Sequence, residues 1–347
     1  MSTEFVPVLL GADINAYSMA RAFHEAYGVK SVVFGMFAAS VCAGSKIIDY
    51  RIRPNNDTVG QVLKNVSEVA REHPDKKILV LGCGDNYLNA ISANLPSYPE
   101  NVIAPYVNLD MLETLIHKEK FYQLCDQYGI DHPATVVYHK GMGHDFTLPF
   151  DGPFVVKPAE SDTYWKHPFP TQKKAYILRT REEVDQVIDQ IYEAGYEDSL
   201  ILQDFIPGDD SYMRVVTNYS GADGKVRLMC VGHVLLEEHT GHAIGNHAVI
   251  ITEPEPELCE KLKSFLEAIR FTGFSNFDIK YDQRDGKFKA FEINCRQGRS
   301  NYYVTGAGYN LARYLVEDRI EGKPCELTIT KTAICGGSFL PRWPMIM

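Results

Sequence analysis

Short apolar runs alternate with amphipathic segments along the first hundred residues. VPVLLGADI, KSVVFGMF and KKILVLGCGDNY have the pattern of buried strands, while NAYSMARAFHEAYG and TVGQVLKNVSEVAREH repeat apolar residues at helical spacing. This β-α-β alternation predicts a parallel sheet with helices on its faces. Ligands of such sheets bind beyond the carboxyl ends of the strands, where the polar loops 11–15 and 82–86 are expected.

The rest of the chain changes from this alternation to a mainly antiparallel pattern. Its first elements are a long helix over 109–129, a strand over 153–160 that carries Lys157, an amphipathic helix over 181–195 and a strand within 199–210. From about 211 to 293 the pattern predicts antiparallel strands around one helix, and the turn QRDGK makes the last two strands a hairpin. The fold class is therefore α/β, with α+β character in the C-terminal part.

Composition excludes several classes of protein. The 347 residues are 45% hydrophobic and 23% charged, which is ordinary for a globular chain, and the net charge of -10 argues against nucleic acid as a partner. No apolar stretch is long enough to span a membrane, and no signal peptide is recognisable. The eight cysteines lack paired CxxC spacing, so we expect small buried thiols in a cytoplasmic protein.

Two familiar nucleotide motifs are missing. GADINA and GCGDNY each lack part of the GxGxxG fingerprint of dinucleotide-binding enzymes, and no GxxxxGK[ST] occurs. The sequence therefore supports neither a dehydrogenase nor a P-loop enzyme.

The stretch FEINCRQGRS combines a strand with several polar side chains. Strand alternation places Glu292, Asn294 and Arg296 on one face, and the hairpin sets Asp278 opposite them. Carboxylate and amide oxygens in such a position are ligands that hold Mg²⁺ between phosphates. A solvated polar face with unrelated roles is the alternative.

Three further groups of residues have both a functional and a structural interpretation. Lys157 among apolar neighbours suits an anionic partner such as phosphate, or else it is an edge-strand lysine that discourages aggregation. Arg296 and Arg299 suit a substrate carboxylate or a phosphoryl group, or else they form surface salt bridges. The segment ILQDFIPGDD suits a backbone hinge that contacts adenine, or else it is simply a turn.

In this order along the chain, the elements resemble the ATP-grasp superfamily. The similarity covers roughly 109–316, with FDIK and FEINCRQGRS as its most specific parts. Within the superfamily the chain looks most like the carboxylate–amine ligases related to carbamoyl-phosphate synthetase. LGADINAYSMARAFHEAYG and NCRQGRSNYYVTGAGYN look similar to D-aspartate ligases.

This resemblance implies a role for each candidate residue. The residues implied to bind ATP are Lys118, Lys157, Gln203, Asp204, Phe205, Ile206 and Asp210. Asp278, Glu292 and Asn294 would bind one or two Mg²⁺ ions, with Mn²⁺ as an alternative, while Arg296 and Arg299 would stabilise an acyl phosphate. The loop after Lys157 lacks the glycine-rich lid common in the superfamily, although Ser161 is placed to donate to phosphate.

The resulting expectation is a ligase that activates a small carboxylate, such as D-aspartate, with Mg·ATP and passes it to an amine. The amine would approach between the N-terminal domain and the hairpin, where Asp13, Asn15, Asp85 and Asn86 would face the ATP site. A small-molecule kinase and a non-catalytic ATP-binding protein stay open as alternatives, as do a monomer and a homodimer. We expect an N-terminal Rossmann-like domain over 1–108, ATP-grasp subdomains over 109–205 and 206–330, and an apolar tail over 331–347.

Overall fold

The computed structural model describes residues 4–239, 245–323, 326–330 and 335–337. The chain divides into two compact units. Unit one comprises Met1–Leu112, Asp210–Asp278 and Asn294–Met347, and unit two comprises Glu113–Asp209 and Ile279–Ile293. The boundaries predicted from the sequence stay predictions, and the expected apolar tail lies outside the described residues apart from 335–337.

The elements follow one another as strands and helices of moderate length. The strands are β1 (Phe5–Leu10), β2 (Ser31–Gly35), β3 (Ile48–Ile52), β4 (Lys77–Gly82), β5 (Val102–Ile103), β6 (Thr135–Tyr138), β7 (Phe154–Pro158), β8 (Tyr176–Leu178), β9 (Leu200–Asp204), β10 (Met213–Ser220), β11 (Val226–Glu237), β12 (His247–Thr252), β13 (Gly273–Asp282), β14 (Lys287–Asn294), β15 (Thr328–Ile329) and β16 (Cys335–Gly337). The α-helices are α1 (Ile14–Tyr27), α2 (Val59–Glu72), α3 (Asp85–Asn94), α4 (Leu109–Ile116), α5 (Lys118–Tyr128), α6 (Ser161–Tyr164), α7 (Arg181–Glu193), α8 (Pro256–Ala268), α9 (Tyr302–Gly306) and α10 (Leu311–Arg319).

Unit one begins with the predicted parallel sheet. Its strand order is β3-β2-β1-β4-β5, and every residue of the central strand β1 is buried. Helix α1 starts because the carboxylate of Asp13 accepts from the backbone nitrogens of Asn15 and Ala16, and it ends at Gly28, whose φ of 67° suits a residue without a side chain. These features confirm the predicted βαβ arrangement.

A second sheet, mainly antiparallel, extends unit one. Its order is β14-β13-β10-β11-β12-β16, with β15 parallel to β11, and the strands β13 and β14 continue into unit two. The hydroxyl of Tyr303, which is buried, donates to the carbonyl of Cys230 at 2.8 Å and so ties α9 to the sheet. The sheet confirms the antiparallel region predicted between 211 and 293.

Unit two contains a sheet of order β6-β9-β7-β8, whose neighbouring strands are antiparallel. Helix α7 begins with a capping box between Thr180 and Glu183. The apolar face predicted for this helix is buried in the core of the unit; its members are Val184, Val187, Ile188 and Ile191. Strand β7 lies between β9 and β8, so Lys157 is on an interior strand and its interpretation as an edge-strand lysine is wrong.

Two predicted elements have different boundaries in the structure. The helix expected over 109–129 is two helices, because His117 takes an extended conformation with ψ of 113° and Lys118 then opens α5. The polar loop expected over 82–86 is also shorter, because Asp85 already begins α3. The strands β3 and β5 were not expected at all.

The described cysteine side chains lie in the interior of the protein. Cys42, Cys83, Cys125, Cys230, Cys259 and Cys295 are free and buried. Among the helices of the described residues, none combines the length and the apolar character that crossing a membrane requires.

Candidate functional site

Three of the predicted site residues come together in unit two. Lys118, the first residue of α5, lies with its Nζ 3.9 Å from Oε2 of Glu292 on β14 and 3.5 Å from Oγ of Ser161 on α6. Lys157 on β7 completes the group, which we call the lysine cluster: Lys118, Lys157 and Glu292. The structure therefore brings both predicted phosphate-binding lysines into the neighbourhood of a predicted metal ligand.

The ammonium of Lys157 contacts aromatic side chains. Its Nζ donates to the hydroxyl of Tyr122 at 2.9 Å. It also lies over the rings of Tyr122 and Phe291, at 5.5 and 5.6 Å from their centroids. Among the described residues, no carboxylate forms a salt bridge with Lys157.

Burial weakens the proton affinity of both lysines. It lowers the pKa of Lys118 and lowers the pKa of Lys157 to about 8, and the carboxylate of Glu292 opposes the shift in each case. Lys174 adds to the lowering for both side chains. Water screens charges only weakly at this buried position. An anion bound beside these ammonium groups would therefore be attracted more strongly than at the protein surface.

The predicted adenine hinge follows β9, and its side chains are occupied. Nε2 of Gln203 donates to Oγ1 of Thr135 at 2.9 Å, and the carboxylate of Asp204 pairs with Arg284, whose Nη1 lies 3.1 Å from Oδ1. Ile206 is buried. These side chains hold the segment in place, so a nucleotide would have to contact its backbone.

A lysine of the FDIK motif also holds the hinge. Nζ of Lys280 donates to the carbonyl of Gly208 at 2.7 Å and lies over the ring of Phe205, 5.6 Å from its centroid. The sequence analysis missed this residue. A signal was present, since Lys280 follows the candidate ligand Asp278 by two positions and therefore faces the same side of the strand.

The other two predicted metal ligands lie together in unit one. Nδ2 of Asn294 donates to Oδ2 of Asp278 at 3.2 Å. The second carboxylate oxygen of Asp278 lies 3.6 Å from Nε2 of His247, a buried residue that the sequence analysis did not single out. The oxygens of Asp278 and Asn294 are hard donors and so have the chemistry that Mg²⁺ prefers.

His247 lies between two carboxylates. Its Nδ1 is 3.1 Å from Oε1 of Glu237, on the opposite side from Asp278. Burial lowers the pKa of His247, but the two carboxylates outweigh that effect and raise the pKa to about 9. A charged imidazole there offsets the repulsion between Asp278 and Glu237.

Both predicted arginines form salt bridges within unit one. Arg296 holds Asp85 through two bonds of 2.7 Å, from Nε to Oδ1 and from Nη2 to Oδ2. Nη1 of Arg299 donates to Oε1 of Glu238 at 2.7 Å. The salt bridges of the structural interpretation are present, and the role of both arginines with a substrate stays a prediction. We call Arg296, Arg299, Asp85 and Glu238 the arginine cluster.

The loops that were expected to face the amine are partly structural. Asn15 is buried, with Nδ2 donating to the carbonyls of Cys83 and Gln297 and Oδ1 accepting from Asn301. The carboxylate of Asp13 caps α1; burial raises its pKa, although Arg299 and Arg296 lower it in part. Of these loop residues, Asp85 is the one that directly contacts a predicted catalytic side chain.

Asp210, the predicted ribose ligand, is already bonded within unit one. Its Oδ2 accepts from the backbone nitrogen of Glu237 and lies 2.9 Å from Nε2 of His239. A ribose would therefore have to share or replace these partners. In the described part of the chain, no group of three or more His, Cys, Asp or Glu side chains could hold a metal ion by itself.

The amino-acid sequence of this chain is similar to that of a protein of known function. No family model matches the chain. A D-aspartate ligase of Enterococcus faecium is 44% identical over 328 residues, which is 92% of this chain and 78% of that protein. The chain belongs to the D-aspartate ligase family.

Solved structures show that the fold of this family member is that of the ATP-grasp ligases. An L-amino acid ligase from Bacillus licheniformis matches with a TM-score of 0.61 and 15% identity, covering 91% of this chain and 75% of that one. The biotin carboxylase domain of the Hydrogenobacter thermophilus 2-oxoglutarate carboxylase, in complex with MgADP, ADP and bicarbonate, matches with a TM-score of 0.65 and 13% identity, covering 91% and 70%. The α/β class and the ATP-grasp fold are confirmed.

Proposed function

We propose that this protein is an ATP-dependent carboxylate–amine ligase whose carboxylate donor is D-aspartate. The observation that carries the proposal is the 44% identity to a D-aspartate ligase across 92% of the chain. The lysine cluster supports it, since two partly desolvated ammonium groups suit the phosphates of a nucleotide.

The reaction needs no nucleophile from the protein. A carboxylate oxygen of the donor attacks the γ-phosphorus of ATP, the bond to the bridging oxygen breaks and ADP leaves. The amine nitrogen then attacks the carbonyl carbon of the acyl phosphate, phosphate leaves and the nitrogen loses a proton. Positioning and electrostatic stabilisation are the contributions that the chain must make.

In this proposal each predicted residue binds or orients a reactant. Lys118 and Lys157 hold the phosphates, the backbone over 203–206 contacts adenine, and Asp210 binds the ribose. Arg296 and Arg299 bind the acyl phosphate. A planar guanidinium matches the geometry of phosphate and carboxylate oxygens, and each of these arginines already donates to a carboxylate.

Asp278, Glu292 and Asn294 form the proposed Mg²⁺ site, with Mn²⁺ as the alternative ion. The donor set fits a hard cation, because it consists of carboxylate and amide oxygens. A bound Mg²⁺ would neutralise charge on the phosphate oxygens of ATP. The MgADP complex of the biotin carboxylase domain supports this choice of ion.

The acceptor amine stays open between a free amino acid and a lysine side chain of a larger precursor. Asp13 and Asp85 are acidic residues, which would suit a cationic amine. A cytoplasmic location is part of the proposal, while a monomer and a homodimer both remain open.

The test is a substrate panel with mass detection of the product. Purified protein is incubated with Mg·ATP, D- and L-amino acids as donors, and free amino acids or lysine-containing peptides as acceptors. We expect ADP, phosphate and an amide whose mass is the sum of D-aspartate and the amine less one water. A stable phosphorylated amino acid would identify a kinase, and nucleotide binding without any product would identify a non-catalytic binder.

A further inference from the structure

Tyr122 contacts the lysine cluster through Lys157, and the sequence analysis did not predict it to belong to the site. It lies on α5 four residues after Lys118, so both side chains leave the same face of the helix. It is buried, with 3% of its surface exposed. A buried phenol requires partners for its hydroxyl, and their identity is informative.

The hydroxyl of Tyr122 bonds to β7 and β14 at once, and the side chain of Gln203 on β9 is a further hydrogen-bond partner. It donates to the backbone carbonyl of Phe291 on β14 at 2.7 Å and accepts from Nζ of Lys157 on β7 at 2.9 Å. Because its own proton goes to the carbonyl, the oxygen presents a lone pair to the ammonium. Helix α5 and the strands β7 and β14 thus meet at a single oxygen atom.

The ring of Tyr122 is held as firmly as its hydroxyl. It stacks on His132 with centroids 4.9 Å apart and an angle of 22° between the planes. The ammonium of Lys157 lies over this ring at 5.5 Å and over the ring of Phe291 at 5.6 Å from the centroids. The carbonyl that anchors the hydroxyl belongs to the residue directly before Glu292, so the same bond relates the position of Lys157 to that of the proposed metal ligand.

We propose that Tyr122 is a positioning residue that holds the ammonium of Lys157 in place for the nucleotide phosphates. This inference rests on the proposed use of ATP. A four-carbon side chain with an ammonium end loses rotational freedom when it binds phosphate, and a preformed hydrogen bond reduces that loss. Tyr122 acts through Lys157 and does not touch the reacting atoms.

The first measurement is the affinity for MgADP, by calorimetry, in Tyr122→Phe and in a matched control. We expect the dissociation constant of Tyr122→Phe to rise about 10-fold, because a hydrogen bond to a charged group is lost, and the KM for ATP to rise in parallel while kcat changes little. The control is Tyr192→Phe, which removes a hydroxyl of the same unit that donates to the carbonyl of Asp198 at 3.0 Å. We expect MgADP affinity of the wild-type level there.

A second measurement separates positioning from a general structural role. In a Lys157→Met background, adding Tyr122→Phe should cost no further affinity, since the hydroxyl then has no ammonium to hold. An equal loss in both backgrounds would overturn the proposal, as would unchanged MgADP affinity in Tyr122→Phe or a fall in kcat alone. Wild-type protein that binds MgADP but forms no amide would refute the ligase function and leave this test of Tyr122 intact.

Discussion

In unit two, Lys157 contacts a tyrosine hydroxyl and two aromatic rings, whereas in unit one Arg296 and Arg299 each contact a carboxylate. The pKa of Lys157 is lowered to about 8, which is the mark of a cation that burial destabilises. The guanidinium groups of the arginines are paired with the carboxylates of Asp85 and Glu238.

This difference indicates how each cluster would take up an anion. The ammonium groups of the lysine cluster are partly desolvated. A bound phosphate would balance the part of their positive charge that the chain itself does not balance. A substrate carboxylate or acyl phosphate arriving at the arginine cluster would have to displace a carboxylate of the chain. Nucleotide affinity should therefore depend strongly on single residues of the lysine cluster. At the arginine cluster, the substrate anion should compete with the carboxylates of Asp85 and Glu238 for the guanidinium groups.

The largest effect is expected from Lys157→Met. Removing the ammonium should lower kcat/KM for ATP about 100-fold, because a charge-assisted bond to phosphate is lost in a site of low dielectric. The control is Lys140→Met, which changes a half-exposed lysine of the same unit that pairs with Glu197. Steady-state kinetics in which Lys157→Met keeps wild-type kcat/KM would remove the lysine cluster from the nucleotide site.

Glu292→Gln should come next, with turnover reduced roughly 30-fold at limiting Mg²⁺. The substitution keeps the side-chain volume and removes the charge that attracts the cation, so raising Mg²⁺ should recover part of the activity. Glu182→Gln, at an exposed position on α7, is the matched control. An unchanged Mg²⁺ dependence would show that Glu292 does not bind the metal.

The pH dependence of ATP capture should show the lowered pKa of Lys157. Its ammonium is charged below the pKa of about 8 and neutral above it, so kcat/KM for ATP should fall as the pH rises through that value. Once ATP is bound, its phosphates favour the charged form, and kcat should be less sensitive. In Lys157→Arg the side chain stays charged over this pH range, so the alkaline fall in kcat/KM for ATP should disappear. The same fall in that variant would show that another group causes it.

The smallest effect is expected from Asp85→Asn. Asp85 is exposed and holds Arg296 from the solvent side, so its removal should lower the KM for the carboxylate donor about 3-fold by ending the competition. The KM for ATP should stay the same. A higher KM for the donor would mean that Asp85 orients Arg296 for binding and does not compete with the substrate.

Local patterns predicted much of this fold. The buried strand β1 and the cap and stop of α1 follow from neighbouring residues, and the apolar face of α7 follows from helical spacing. Strand β3 was missed because it lies at a sheet edge and carries Asp49 and Arg51 in a run of five residues. The break at His117 was missed because nothing in the local pattern interrupts the apolar spacing of that helix.

The sequence singled out those candidate site residues that belong to a recognisable motif. Lys157 and Glu292 stand out because charged residues in apolar strands need a reason to be there. Tyr122 did not stand out, since its partner Phe291 is 169 positions away in the sequence and contributes only a backbone carbonyl. The spacing of four residues from Lys118 was the one available signal.

The most direct test of the central claim follows an oxygen atom. D-aspartate labelled with ¹⁸O in its carboxylates is incubated with the protein, Mg·ATP and an amine, and the released phosphate is analysed by mass. Attack of the carboxylate on ATP transfers one of its oxygens to phosphate, so we expect one ¹⁸O per phosphate for each amide formed. Phosphate free of ¹⁸O would contradict an acyl-phosphate ligase, and ¹⁸O that stays in a phosphorylated amino acid would show a kinase.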